Sequence, residues 1–294
     1  MFLFSVKTQI QVMYRQREFK VAFLITFLYA CLSFIYALNI TAGQELYSTK
    51  DASQYLCFGG YFPLWHYFQS IYPFLVVLPF ATSYVEDKRN YLLPLYFART
   101  SRSVYFSSKL VACFIGTAAV IFLPFLFNMV LCNLFFPHNN NTWIGEYQML
   151  NFQGNVLGTN LLYETPYREL AFARLFLNNR PLYSFLYLVA ISLFSGLLGM
   201  AILGLSFVFS KSKILLFTPL FAVQHISQTY NTKALNNAIS NGDTYTNLNI
   251  LEYFIPGFSK GKSPIFLVIV LGFLALFVLI SFLFSQREDI RSLQ

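Results

Sequence analysis

Charge is what this sequence has least of. Only 11% of its 294 residues are Asp, Glu, Lys or Arg, against about 25% in an ordinary soluble domain. A soluble chain of this length has to cover itself with polar groups, which excludes a soluble globular class. Cysteine is equally thin. Cys31, Cys57, Cys113 and Cys132 are widely spaced, and a cysteine inside an apolar run behaves as a small hydrophobe. Their spacing contains no CxxC, zinc pattern or disulfide framework. His66, His138 and His225 have no metal-ligand spacing, and no nucleophile–base motif assembles around them.

A phosphate-binding loop is missing too. Gly261-Lys262-Ser263 ends like one, but the first glycine would have to stand where Pro256 is, and no strand precedes it. The chain therefore reads as a non-enzyme with no catalytic, cofactor or metal site of its own. The expected spans contain no Asp, Glu, Lys or Arg, which argues against a proton relay or an ion-coupled carrier. The N-terminus does not read as a cleavable signal. Its apolar run begins only after Lys20 and lacks a small-x-small site at its end.

Hydrocarbon is what fills the space. Hydrophobic residues make up 56% of the chain and aromatic ones 19%, which fits lipid contact and interfacial aromatic belts. Residues 1–20 are amphipathic, with Phe2, Val6, Ile10 and Met13 on one helical face. A basic helix of this kind lies in the interface plane. The rest reads as one transmembrane domain, 21–294, with spans at 21–38, 68–85, 110–136, 182–209, 214–227 and 264–285. A crossing takes about 20 residues, so 214–227 is short. Pro73 and Pro79 interrupt the second run and Pro124 the third. Thr165-Pro166 can start a short amphipathic helix through Leu177.

Orientation follows from lysine and arginine. With the N-terminus cytoplasmic, thirteen of the twenty basic residues fall on the short inside segments 1–20, 86–109, 210–213 and 286–294. That is the positive-inside pattern. It accounts for the net charge of +8 without a nucleic-acid partner. Omitting 214–227 gives five spans with a similar charge split, so the charge pattern admits both counts.

One stretch stands out. Glu86-Asp87-Lys88-Arg89, then Arg99, Arg102 and Lys109, put seven charges between two long apolar runs. Tyr91, Leu92, Leu93, Leu95, Tyr96 and Phe97 lie among them. An ordinary connecting loop needs no such apolar run, whereas a docking element needs charge for register and apolar side chains for a groove.

Three stretches together resemble a known family. The first is Phe62-Pro63 with the Pro73/Pro79 span and Ser83-Tyr84-Val85-Glu86-Asp87. The second is Phe97-Ala98-Arg99-Thr100-Ser101-Arg102 with Tyr105 and Lys109. The third is Leu175-Phe176-Leu177-Asn178-Asn179-Arg180-Pro181-Leu182-Tyr183 before a Gly-rich span, then Lys211 to Pro219. In this order, over roughly 60–225, the chain is similar to permease subunits of type-2 ATP-binding-cassette exporters of low-GC Gram-positive bacteria. The resemblance implies an all-α integral membrane fold of six transmembrane helices, both termini cytoplasmic. It implies an N-terminal elbow helix, a coupling helix at 86–103 between spans two and three, and re-entrant helices after the fifth span. It further implies a second permease subunit, identical or related, and a cytosolic subunit that binds ATP and Mg. Coupling would then fall on Glu86, Asp87, Lys88, Arg89, Tyr91, Leu92, Leu93, Leu95, Tyr96, Phe97, Arg99 and Arg102. Cargo would be a peptide, lipid or drug-like compound. The alternative is a non-transporting membrane scaffold, or an immunity or signalling protein.

The remaining candidates read as structural. Ser192, Gly196, Gly199 and Gly204 remove bulk from the fourth span, which permits close helix approach in lipid. Packing within the subunit is the expectation and a dimer seam the alternative. Asn128 and His225 are expected to be hydrogen-bonded parts of the bundle.

Overall fold

The computed structural model describes residues 2–43, 51–59, 64–137, 175, 179–208, 213–241, 246–254 and 263–291. The helix expected at 165–177, apart from Leu175, and the turn before Lys213 lie outside the described residues. Among the described residues every regular element is helical. They run α1 (Phe2–Arg15), α2 (Arg17–Thr41), α3 (Leu64–Val77), α4 (Ser83–Arg89), α5 (Leu93–Arg99), α6 (Arg102–Phe135), α7 (Arg180–Val208), α8 (Lys213–Asn241) and α9 (Pro264–Arg291), with short 3-10 turns at Ala52–Gln54 and Ile250–Phe254.

Four helices are long and apolar enough to cross a membrane: Arg17–Thr41, Arg102–Phe135, Arg180–Phe207 and Ile265–Leu283. The expected second span is interrupted. Its helix α3 stops at Val77, and a turn leads to α4. Pro79 explains the break, because it donates no backbone hydrogen and biases Leu78 away from helical geometry. The fifth run differs in the other direction. Helix α8 continues past the expected end at Ser227 to Asn241, with a polar second half, and it is not among the four.

Helix α6 is the hub, with α1, α2, α3, α5, α7 and α9 all touching it. At about 1.5 Å per residue its 34 residues run to roughly 50 Å, longer than a hydrocarbon core of about 30 Å. Helix α1 lies along the first half of α6, where Ser5 Oγ donates to Ser108 Oγ at 2.9 Å and Met13 fills the space left by Gly116. Its buried face is Val6, Gln9 and Met13, while Phe2 is exposed. The apolar stripe read from the sequence keeps Val6 and Met13 inside and packs Ile10 against the core, with Gln9 buried beside them.

Small residues set the α6–α7 distance. A Cβ on Gly196 would lie 2.7 Å from a Phe114 ring carbon and 2.9 Å from the Phe114 carbonyl oxygen; one on Gly199 would lie 2.6 Å from Thr117 Oγ1. Gly204 instead faces Ser281 of α9, and Ser192 donates to its own Leu188 carbonyl at 2.7 Å. Asn128, buried in α6, stitches three segments. Its amide donates to the Ala30 carbonyl of α2 at 3.0 Å and accepts from Cys57 N at 3.0 Å. Tyr29 Oη donates to the Cys57 carbonyl at 2.7 Å. His225 is exposed and stacks against Phe221.

Candidate functional site: a helical hairpin at the charged end

Helices α4 and α5 form a hairpin that folds back against the start of α6. Its turn is a helix C-terminal lock: Leu92 N donates to the Asp87 carbonyl at 2.9 Å and Tyr91 N to the Lys88 carbonyl at 3.3 Å. This pairing requires a left-handed residue between the two helices, a position usually given to glycine. Here it is Tyr91, at φ 56°. Pro94 occupies the first turn of α5, where its missing hydrogen is not needed.

The inner face of the hairpin is fixed by charge and rings. Lys109 Nζ donates to Asp87 Oδ2. Tyr105 Oη donates to the same oxygen at 2.6 Å and accepts from Lys109 Nζ at 3.0 Å. Lys109 also lies over the rings of Phe80, 5.5 Å from its centroid, and Tyr105, 5.1 Å. Lys109 and Tyr105 are each 1% exposed. A buried ammonium is tolerated only with such pairing. Tyr96 and Phe97 pack on Tyr105 with centroids 5.2 and 5.6 Å away, and Arg102 lies 5.0 Å above the Phe97 ring. Burial, and then the Asp87 carboxylate, push the Tyr96 phenol above its ordinary pKa. Tyr84, Phe106 and Phe207 continue the ring cluster into α7, with centroid distances of 4.9 to 5.8 Å.

The twelve sequence-predicted residues all fall on this hairpin and the first residue of α6, but they divide. Glu86, Asp87, Leu92, Leu93, Tyr96, Phe97 and Arg102 are half-buried. Lys88, Arg89, Tyr91, Leu95 and Arg99 are exposed, Tyr91 at 85% and Leu95 at 62%. Asp87, expected to dock a partner, pairs instead with Lys109. Lys109 lies in α6 one residue before the expected span at 110–136, and Arg102 opens the same helix, so both charges stand at the end of the candidate crossing.

Two further polar clusters occupy the opposite end. Arg180 Nη1 donates to Asp51 Oδ2 at 2.8 Å, both side chains buried, while Asp51 also caps Ser53 N at 2.9 Å. The polar half of α8 is tied to 246–254 by amides. Asn231 donates to Asn247, and Asn247 to Glu252. Asn249 Nδ2 reaches the other Glu252 oxygen at 3.3 Å, and Tyr253 Oη donates to the Asn247 carbonyl at 2.8 Å. Among the described residues no group of three or more His, Cys, Asp or Glu could hold a metal ion.

Between α3, α7, α8 and α9 lies a cleft of about 450 Å³ with almost entirely apolar walls. No family model, curated protein or solved structure matches this chain.

Proposed function

We propose that this chain is the permease subunit of an ATP-binding-cassette exporter of the type-2 kind, driven through the α4–α5 hairpin by a cytosolic subunit that holds ATP and Mg. The observation that carries the reading is Tyr91. A large aromatic ring occupies a left-handed turn position where glycine costs least, and it is 85% exposed. A local rule broken at an exposed aromatic is a mark of a binding residue. Leu95, Arg89 and Arg99 are exposed on the same hairpin, giving an apolar anchor ringed by positive charge.

On this reading α1 is the elbow helix, and α3 with α4, and α8, add two crossings to the four long apolar helices. Both termini are then cytoplasmic. The pairing of half-buried Asp87 with buried Lys109 makes the hairpin one piece with α6, so a push on Leu95 and Tyr91 moves the hub helix. A second permease subunit, identical or related, completes the pathway.

The test is co-purification from native membranes, assayed for ATP hydrolysis. The wild-type chain should bring an ATPase with it, and Tyr91→Gly/Leu95→Asp should lose that activity while eluting as a folded protein. An ATPase retained by the variant removes the hairpin as the coupling surface. No ATPase with the wild type removes the exporter reading and leaves a non-transporting scaffold.

A further inference from the structure

The cleft between α3, α7, α8 and α9 is unused by the coupling hairpin. We infer that it holds one hydrocarbon chain of a membrane amphiphile, inserted between α8 and α9. The inference stands independently of the transport reading.

Four observations fix the chemistry. First, the walls are Leu198, Ala201, Leu220, Val223, Phe273 and similar side chains. Second, the polar side chains on the lining are already engaged. Tyr72 Oη pairs with Ser195 Oγ at 2.9 Å, Gln224 Nε2 donates to Asn249 Oδ1 at 3.4 Å, and Ser227 Oγ donates to the Gln224 carbonyl at 2.9 Å. A cleft whose walls are otherwise hydrocarbon takes apolar ligands. Third, its volume of about 450 Å³ lies within the roughly 300–1,000 Å³ of pockets that take small molecules. Fourth, α8 and α9 both line the cleft but scarcely touch each other. Val223 and Phe273, each 65% exposed, stand at the opening.

The polarity is graded as an amphiphile requires. The Pro219 end is apolar, and the other end meets Gln224 and Ser227 beside the Asn231–Asn247–Glu252 amide network. The chain would lie along Leu198 and Ala201 with its head group at Gln224 and Ser227.

The probe is a diazirine-bearing fatty acid, photolysed with the full-length protein in phosphatidylcholine vesicles and mapped by tandem mass spectrometry. Adducts should concentrate on α7 and α8 around Leu198, Ala201 and Val223, above those on the outward residues Val268 and Ile269. Ala201→Trp fills the cleft and should reduce these adducts about tenfold, the loss expected when about two buried methylenes are displaced, with the outward adducts unchanged. Should Ala201→Trp fail to fold, Val223→Trp at the exposed mouth replaces it, with the same loss expected. Labelling equal at cleft and outward residues, or unmoved by either variant, overturns the inference. So does a Val223→Cys variant that forms a disulfide between two copies and excludes the probe, since a second subunit then covers the mouth. Omitting and adding the ATPase partner with nucleotide separates the two sources: a resident lipid keeps its adducts in both arms, and an exported amphiphile loses them on turnover.

Discussion

The two ends of the bundle solve one problem with different outcomes. Each brings a connecting segment down onto the helices with an acid–base pair, half-buried Asp87 with buried Lys109 at one end and buried Asp51 with buried Arg180 at the other. Beyond the pair they diverge. At the Asn-rich end Asn231, Asn247, Asn249, Glu252 and Tyr253 turn toward one another, donors meeting acceptors within the chain. At the charged end Arg89, Tyr91, Leu95 and Arg99 turn outward. Among the described residues, that amide cluster is satisfied within the chain, whereas the hairpin leaves charge and apolar side chains facing outward, the composition expected where a second protein is recognised.

The sharpest way to break the comparison is to cut each anchor. Asp87→Ala leaves the Lys109 ammonium buried without its carboxylate, and removing one partner of a buried pair costs about 3–5 kcal/mol. Lys109→Met in the same chain should recover most of that loss, because the stranded charge goes with it. Asp51→Ala should cost a similar amount at the other end. The anchors differ in what else they disturb. Only Asp87→Ala should release the hairpin, read as loss of the co-purifying ATPase at a temperature where the variant is still folded. Thermal unfolding in detergent micelles measures the stability arm, and equal loss of ATPase in both variants would erase the distinction between the ends.

A smaller effect lies midway, where the ends are joined. Gly196→Leu forces a side chain into Phe114, including its carbonyl oxygen, and overpacking of this kind costs about 1–3 kcal/mol. Gly272→Leu is the control, since a Cβ there meets nothing within 4 Å, and it should be nearly silent. Asn128→Ala removes the hydrogen bonds to Ala30 O and Cys57 N and should cost about 1–2 kcal/mol. Equal melting of Gly196→Leu and Gly272→Leu would mean that the α6–α7 approach is loose.

How legible all this was depends on the range of the interaction. The long apolar helices follow from composition and length, and the expected spans are helical where described except the second, which breaks between Val77 and Ser83. Breaks and extensions were harder. Pro79 separates α3 from α4, while Pro124 sits inside an unbroken α6, and sequence does not say which proline has neighbours that hold its helix together. Helix α8 runs on past Ser227, where Gln228 pairs with Gln69 and Asn231 with Asn247 of 246–254, long-range pairings with no periodic signature. The hairpin was legible as a dense charged insert between apolar runs. Its division into two faces was not, since that depends on Lys109 and Tyr105 reaching back 22 and 18 residues to Asp87. The cleft had no signal at all, its walls being ordinary Leu, Val and Phe positions drawn from separate helices.

The smallest expected change in stability is at Tyr91, and it sharpens the contrast most. A left-handed non-glycine residue costs about 1–2 kcal/mol. Tyr91→Gly removes that cost but adds about 0.5–1 kcal/mol of backbone entropy on folding. The net is a change of between about 0 and 1.5 kcal/mol in the stabilising direction. Tyr91→Asn, which tolerates the same conformation, should also melt no lower than the wild type. Both variants nevertheless lack the exposed ring, so both should lose the co-purifying ATPase. A residue kept for folding behaves otherwise: its replacement by glycine or asparagine would lower the melting temperature, and partner binding would fall only as far as the folded fraction does. Stability held while binding disappears would mean that the strained ring is retained for what lies outside the chain.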